Sequence, residues 1–100
     1  MNSLKINEMK TPVEIELDLA NRIKSIRRVK KISQRELAEK SGVSFGSIRR
    51  FEASGNISLL SLVKISIALG KQQEFSSLFL EKEFASIEEV IKYERNRTKS

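Results

Sequence analysis

The sequence contains no cysteine, no histidine and no tryptophan, and only one proline and four glycines among its 100 residues. The missing cysteines and histidines exclude a disulfide scaffold, a Cys/His zinc site, a thiol nucleophile and a histidine general base. The longest aliphatic run, 67–69, has three residues, whereas about 20 are needed to cross a bilayer. The first ten residues lack the apolar stretch of a secretory signal, so we expect a cytoplasmic protein without a membrane partner.

The sequence has few candidates for catalytic carboxylates or for a phosphate-binding loop. Asp18 is the only aspartate, and the sequence has no glycine-rich phosphate loop. The glutamate pairs 81/83 and 88/89 lie in a peripheral segment, whereas a catalytic carboxylate pair needs burial to separate its two pKa values. We therefore expect no enzyme activity, no metal site and no cofactor.

Positive charge is abundant, and it is concentrated in one segment. The net charge is +6, with 32% charged residues. Residues 21–53 carry ten Lys or Arg against three Glu, net +7, whereas residues 1–20 are net −2 and residues 54–100 are net +1. A solvated helical surface could have the same composition, but the clustering favours a polyanionic partner, with nucleic acid before a membrane.

Apolar spacing and capping residues predict an all-α chain of six helices. Five of the helices have an N-cap candidate, three of them within an S/T-x-x-E capping box: Thr11, Ser33, Ser44, Ser58 and Ser86. Glycines mark the ends of the second, third and fourth helices: Gly42, Gly55 and Gly70. We expect a flexible arm over residues 1–10, a helical domain over 11–80, and a short helix with a basic tail over 81–100.

Four of these helices carry further expectations. The first should run to about Lys30. The fourth is the most apolar and should hold the centre of the core, with Leu59, Leu62, Val63, Ile65, Ile67 and Leu69. The short fifth helix should carry Phe75, Leu78 and Phe79. The last should begin at Ile87 and give way, from Lys92, to a basic tail that is disordered in isolation.

The segment from Ser33 to Glu52 has the organisation of a helix-turn-helix. Two short helices meet at Gly42, and the small side chain of Ala38 would let them cross closely. Apolar residues fill the space beneath: Val43, Ile48 and Phe51. This geometry directs the start of the second helix into a major groove. The helix then exposes Phe45, Gly46, Ser47, Arg49 and Arg50.

These exposed residues suit DNA in more than one way. Arg49 and Arg50 can bind guanine edges bidentately or contact phosphates only. Free N–H groups at the start of the helix favour a phosphate. For Phe45 three roles stay open: contact with thymine methyls, stacking on a sugar, or a partly buried staple within the protein.

The same residues resemble the Xre-type, lambda-repressor-like regulators of bacteria, whose motif is roughly S/T-Q-x-x-L-A-x-x-x-G-V-S-x-x-x-I-x-R-x-E. The motif is matched by Ser33, Gln34, Leu37, Ala38, Gly42, Val43, Ser44, Ile48, Arg50 and Glu52. The resemblance covers about residues 19–80 and implies a five-helix domain that binds double-stranded DNA. It also implies that Gln34 touches a phosphate and braces the recognition helix, and that the bases are reached by Phe45, Gly46, Ser47 and Arg49.

The sequence departs from the family pattern at four positions. Ser41 replaces a small apolar residue, and Lys31 stands where the first helix often ends in glycine. Phe45 and Gly46 replace the polar pair that makes many base hydrogen bonds in phage repressors. Readout of base edges by amides is therefore in doubt here.

These features together predict a sequence-specific transcriptional regulator that binds an operator as a homodimer and represses its own operon. The candidate DNA-binding residues are Arg28, Gln34, Arg35, Ser44, Phe45, Gly46, Ser47, Arg49 and Arg50. The basic residues of the first helix are either phosphate contacts or solubilising charge: Arg22, Lys24, Arg27, Arg28, Lys30 and Lys31. The dimer surface is not identified, and its candidates are the fourth and fifth helices together with Ile87, Val90 and Ile91.

Residues 44–70 and the short helix after them also resemble HipB-like antitoxins, the partners of HipA-like kinase toxins. This narrower resemblance implies a type II toxin–antitoxin pair with a kinase-like toxin as protein partner. Two alternatives stay open: a free-standing regulator, and a protein- or RNA-interaction module that has kept the fold. The C-terminal basic residues are then a DNA-binding arm, a toxin-binding segment or a plain chain end.

Overall fold

The computed structural model describes residues 10–80 and 87–99, and all regular secondary structure in these ranges is helical. The six helices are α1 (Pro12–Val29), α2 (Gln34–Ser41), α3 (Phe45–Ser54), α4 (Leu59–Ala68), α5 (Gln72–Ser76) and α6 (Ile87–Lys99). The all-α prediction is confirmed. Apart from Lys10, the predicted N-terminal arm lies outside the described residues. None of the described helices is long and apolar enough to cross a membrane.

Helices α1 to α4 begin at the predicted N-caps. Thr11 and Ser33 form complete capping boxes, in which the hydroxyl accepts from the backbone of the third helical residue and the glutamate there accepts from the cap backbone. Ser44 and Ser58 each accept one backbone N–H from the first turn. The box predicted at Ser86 lies outside the described residues.

A small apolar core fixes the first four helices relative to one another. Helix α1 packs on α3, α2 packs on both α3 and α4, and α4 contacts α5. The buried apolar residues are Ala20, Ile23, Leu37, Val43, Ile48, Phe51, Leu62, Ile65 and Leu69. Their inward packing orients α3 so that its opposite face meets solvent.

Helix α4 buries only one face, so part of the core prediction was wrong. Leu62, Ile65 and Leu69 point inward at helical spacing. Ile67 lies on the other side of the helix and is 56% exposed, and Leu59, at the edge of the inward face in the first turn, is 68% exposed. Apart from Ser61, Lys64 and Ser66, the residues of this helix are apolar, although only part of its surface meets the core.

The two C-terminal helices also differ from the prediction. Helix α5 ends at Ser76 and half-buries Phe75, so Leu78 and Phe79 lie beyond it and are exposed. Phe79, three residues beyond the end of α5, has a left-handed backbone, with φ 57°, which a right-handed helix does not contain. Helix α6 continues to Lys99 through the predicted basic tail, because no Gly or Pro interrupts it and Glu94 pairs with Arg97 one turn away, at 2.7 Å.

Close packing between α1 and the end of α3 depends on Gly55. Gly55 has φ +83°, and a Cβ atom added there would lie 2.8 Å from the backbone carbonyl carbon of Glu16. Gly42, in the turn between α2 and α3, has φ +76°, but a Cβ there would meet nothing within 4 Å. Position 55 therefore needs glycine for its backbone angle and for space, and position 42 for its angle alone.

We expect Gly42→Ala to lower the free energy of unfolding by about 1–2 kcal/mol, the cost of a left-handed alanine. Gly55→Ala should cost about 1–3 kcal/mol more, because the backbone of α1 has to move away. Urea denaturation followed by circular dichroism measures both values. Equal losses in the two variants would contradict the close approach of α1 to Gly55.

Candidate nucleic-acid interface

Helices α2 and α3 form the predicted helix-turn-helix, and α3 presents one face to solvent. The turn runs through Gly42 in its left-handed conformation to Ser44, the N-cap of α3. Ile48, Phe51 and Glu52 are buried on the inner face. The outer face is therefore held on a helix that cannot rotate without disrupting the core.

The nine candidate DNA-binding residues differ in their exposure. Six are exposed, including Ser44 and the two arginines of α3: Arg28, Arg35, Ser44, Gly46, Arg49 and Arg50. Three more are half-buried: Gln34, Phe45 and Ser47. Ser44 is exposed, and its hydroxyl accepts the Ser47 N–H at 3.1 Å while lying 2.9 Å from the Ser47 hydroxyl, so both serines serve the helix start.

An open hollow of about 480 Å³ brings part of this set together. Its walls come from α1, α2 and α3: Lys24, Gln34, Gly46, Arg49, Arg50, Glu52 and Ala53. Three of these side chains are cationic, and the single carboxylate is neutralised by an ion pair with Arg27. The hollow is therefore electropositive, whereas Arg28, which sequence reasoning placed in the site, does not line it.

Phe45 holds two arginines from different helices. The guanidinium carbon of Arg35, on α2, lies 4.1 Å from the centre of the ring. That of Arg49, on α3, lies 5.5 Å from it. Both distances are within the range of cation–π attraction. The ring is half-buried, so the protein itself supplies partners for Phe45, as the staple interpretation of this residue requires.

A buried ion pair ties α3 to α1. The Arg27 guanidinium donates from Nε to Glu52 Oε2 at 2.6 Å and from Nη2 to Glu52 Oε1 at 2.8 Å. Its Nη1 donates to the carbonyl of Ile32 at 2.8 Å, in the turn between α1 and α2. Gln34 Nε2 adds a bond to Glu52 Oε1 at 2.9 Å. One carboxylate thus connects three helices.

This network corrects one prediction and bears on another. Arg27 is only 7% exposed, so it is neither a phosphate contact nor solubilising charge. Gln34 makes the bracing bond that the family resemblance implies. It has a second N–H on the same amide, since the side chain carries two donor hydrogens.

The network also sets the charge state of its members. Burial alone would raise the pKa of Glu52, but hydrogen bonds from Arg27 and Gln34, with the charges of Arg27 and Lys24, bring it below its ordinary value. Hydrogen bonding to Glu52 raises the pKa of Arg27. Both groups are therefore ionised at neutral pH.

Sequence reasoning missed the joint role of Arg27 and Glu52, although a signal was present. Arg27 follows Ile23 by four residues and Leu19 by eight, so it belongs to the apolar face of α1. A charged residue on an apolar face needs a buried partner of opposite charge. Glu52, which lies four residues after Ile48 on α3, has the same arrangement and is that partner.

The fold and the basic outer face of α3 define a helix-turn-helix unit of the kind that binds DNA. A sequence model of a helix-turn-helix family matches residues 23–72, from the middle of α1 to the first residue of α5. The chain therefore belongs to the helix-turn-helix family of Xre-type, lambda-repressor-like proteins, which are DNA-binding transcriptional regulators. No curated protein and no solved structure gives a significant match.

The lowered pKa of Glu52 predicts a pH-dependent stability. The stability that its carboxylate contributes is complete above about pH 4.3, the ordinary glutamate value, and is lost as the pH falls through the lower pKa of the folded state. Glu52→Gln should therefore lower the free energy of unfolding by about 3 kcal/mol at pH 7, because Arg27 loses its counter-charge. This difference from the unmodified protein should shrink as the pH is lowered.

Chemical denaturation at a series of pH values measures this difference. Glu39→Gln, at an exposed position on α2, serves as the control and should change stability by less than about 0.5 kcal/mol at any pH. A Glu52→Gln difference that stays constant down to acidic pH would show that the carboxylate charge does not stabilise the fold.

Proposed function

We propose that the protein is a sequence-specific repressor that binds duplex DNA through α3, as a homodimer, and controls its own operon. The observation that supports this most directly is the outer face of α3. Arg49 and Arg50 are exposed there, beside an electropositive hollow, on a helix that Glu52 fixes from behind. A rigid helix with outward arginines suits the major groove, where arginine binds guanine bidentately.

In this proposal Arg49 is the residue that discriminates bases. Its guanidinium lies over the Phe45 ring together with that of Arg35. Stacking on an aromatic ring limits the orientations of a planar guanidinium before DNA arrives, which reduces the entropy lost on binding. Phe45 then acts through the two arginines, and readout of bases does not require the polar pair of the phage repressors.

Gly46 supports a close approach of DNA to the backbone of α3. The residue is exposed in the first turn, and a Cβ atom there would meet nothing within 4 Å. Its φ is not positive, so neither packing nor backbone conformation demands glycine. A phosphate or sugar against the backbone would explain why a residue that weakens helices is placed here.

Gln34 and Lys24 are proposed phosphate contacts beside α3. The Gln34 amide gives one N–H to Glu52 and has a second that can reach a phosphate. Lys24 lines the same hollow from α1. Such contacts position the protein on the duplex and add affinity without base information. Arg28 and Arg35 would add further electrostatic affinity at the edges.

A homodimer follows from the small size of one unit. A single recognition helix contacts only a few base pairs, so selectivity over unrelated DNA needs two half-sites about one helical turn, roughly 34 Å, apart. The operator is therefore expected to be a palindrome. The dimer surface has to leave the outer face of α3 free.

The test of this function is an electrophoretic mobility shift on the DNA upstream of the gene, at physiological salt, with unrelated duplex as competitor. A discrete complex that survives competition is expected. Complete loss of the complex to competitor would mean that the basic segment supplies only non-specific affinity, and the protein- or RNA-interaction alternative would then replace this one.

In the same assay, Arg49→Ala should weaken binding to the operator by about 1–3 kcal/mol and relax base preference at one position per half-site. Lys64→Ala, at an exposed cation on α4, is the matched control and should leave base preference unchanged. An identical binding profile for the Arg49→Ala variant and the unmodified protein would exclude this role for Arg49.

Gly46→Ala should change stability and DNA binding in opposite directions. The fold should become more stable, by up to about 0.5–1 kcal/mol, because alanine favours a helix more than glycine does. Operator binding should weaken, because the added methyl group keeps the DNA from the backbone. Thermal unfolding and mobility shift measure the two effects, and unchanged operator affinity would show that DNA does not approach α3 at this point.

The proposed link to a kinase-like toxin rests on the resemblance of residues 44–70 to HipB-like antitoxins. An antitoxin would bind its toxin with a surface separate from α3. A toxin-like reading frame beside the gene, and its product co-purifying with this chain, would support the link. If there is no such reading frame and nothing co-purifies, the toxin link is lost and the protein is a free-standing regulator. The proposal for DNA binding is unaffected.

A further inference from the structure

A second concave surface lies between α1, α4 and α5. This groove has a volume of about 430 Å³, and its walls are mainly apolar: Leu19, Ile23, Ile26, Leu59, Phe75 and Leu78. Leu62 and Ser66 of α4 also line it, together with two cations and one carboxylate: Arg22, Lys71 and Glu74. Leu59 and Leu78 are 68% and 52% exposed, so the groove is open to solvent. A volume in this range and an apolar lining are typical of binding sites.

The groove is separate from the proposed DNA interface. None of the nine candidate DNA-binding residues lines it, and neither does Lys24. A protein segment could therefore occupy the groove while α3 lies on DNA. This is the condition that the dimer surface of the proposed repressor has to meet.

Helix α6 has an apolar edge that the core does not cover. Val90 and Ile91 are 37% and 49% exposed, and Ile87 precedes them by three and four residues, so the three positions share one face of the helix. The extensive helix–helix contacts of the described residues all lie among α1 to α5. A helix of 13 residues is marginally stable on its own in water, so α6 needs a surface to pack on.

We infer that α6 of one copy docks in the groove of a second copy, and the reverse, to form the homodimer. The spacing i, i+3, i+4 of the apolar positions is that of helices that bind in grooves. The first turn of α6 carries Glu88 and Glu89, and the groove lining has a net positive charge, with Arg22 and Lys71 against Glu74, so the charges are complementary. Because the exchange is reciprocal, the two docking sites are equal and the assembly closes as a two-fold dimer.

As the occupant of the groove, α6 of a second copy is favoured over the chain's own α6 for two reasons. Among the side chains that the structure describes, 88–97 of α6, none lines the groove on its own chain. The repressor proposed above also needs two copies on one operator, and this inference rests on that proposal for its biological role. The alternative occupants, the chain's own α6 and an unrelated protein, are outcomes of the test.

The test uses the full chain and the dissociation constant of its dimer, measured by sedimentation equilibrium. Leu59→Glu places a charge in the groove, at an exposed position where the start of α4 tolerates an acid. Ile91→Lys places a charge on the apolar edge of α6. Each should weaken the dimer at least about tenfold, the effect of losing about 1.4 kcal/mol of binding free energy. Circular dichroism confirms that each variant is folded.

Leu60→Glu is the matched control for the groove. Leu60 is the next residue on α4 and is 65% exposed, close to the 68% of Leu59, but it does not line the groove. This variant should dimerise like the unmodified protein. Equal weakening by Leu59→Glu and Leu60→Glu would overturn the proposal, since the effect would then come from added charge and not from the groove.

Mixing the two disabled variants separates exchange between copies from docking within one chain. A Leu59→Glu chain keeps an intact α6, and an Ile91→Lys chain keeps an intact groove. The mixture should therefore form a heterodimer with one intact docking site, at concentrations where each variant alone is monomeric. A mixture that stays monomeric overturns the proposal, as does an unmodified protein that is monomeric at all concentrations tested.

Failure of this inference is distinguishable from failure of the proposed function. The monomeric variants keep the whole DNA interface, so they should still bind the operator, more weakly and without the cooperativity of two half-sites. A monomeric unmodified protein that selects its operator would overturn the docking of α6 and leave DNA recognition by α3 in place. A protein that dimerises through α6 but has no preference among duplexes would support the docking of α6 and overturn sequence-specific recognition by α3.

Discussion

The arrangement of the first three helices depends on one buried carboxylate. Glu52 accepts from Arg27 of α1 and Gln34 of α2 while it belongs to α3. Burying two charges has a desolvation cost that their attraction only partly offsets, so such a pair adds little net stability over an apolar pair. The pair instead fixes one orientation of α3, because any rotation of this helix would leave an unpaired charge in the interior. The orientation of the outer face of α3 is a consequence of this constraint.

Helix caps fix the ends of the helices in a similar way, by giving partners to polar groups that would otherwise lack them. Ser33 fixes the start of α2, and Ser44 fixes the start of α3 two residues after the left-handed turn at Gly42. Each cap satisfies backbone donors that would otherwise need water. The path of the chain through the turn is therefore determined locally, and the core needs only to hold the two helices at their crossing. Phe45 and its two arginines then form a small ordered layer on the outside.

Local signals in the sequence were enough to predict the class of fold and the helix that carries the candidate interface. Ser and Thr caps, left-handed glycines and the helical spacing of Leu37, Ile48 and Phe51 act over a few residues, so they are visible without the fold. What they did not show depends on contacts between distant segments. The pairing of Arg27 with Glu52 joins residues 25 positions apart, and the exposure of Ile67 depends on which face of α4 meets α2. The length of α6 was underestimated because a basic composition is compatible with a helix as well as with a tail.

The division of α3 into an inner and an outer face has a consequence for how such a protein can evolve. The inner residues Ile48, Phe51 and Glu52 carry the packing, whereas Gly46, Arg49 and Arg50 on the outer face are exposed. Substitutions on the outer face are then nearly neutral for folding. A duplicated gene could acquire a new operator by drift at a few surface codons, without a compensating change in the interior. Regulators that must diverge from their own copies while keeping one fold benefit from this separation.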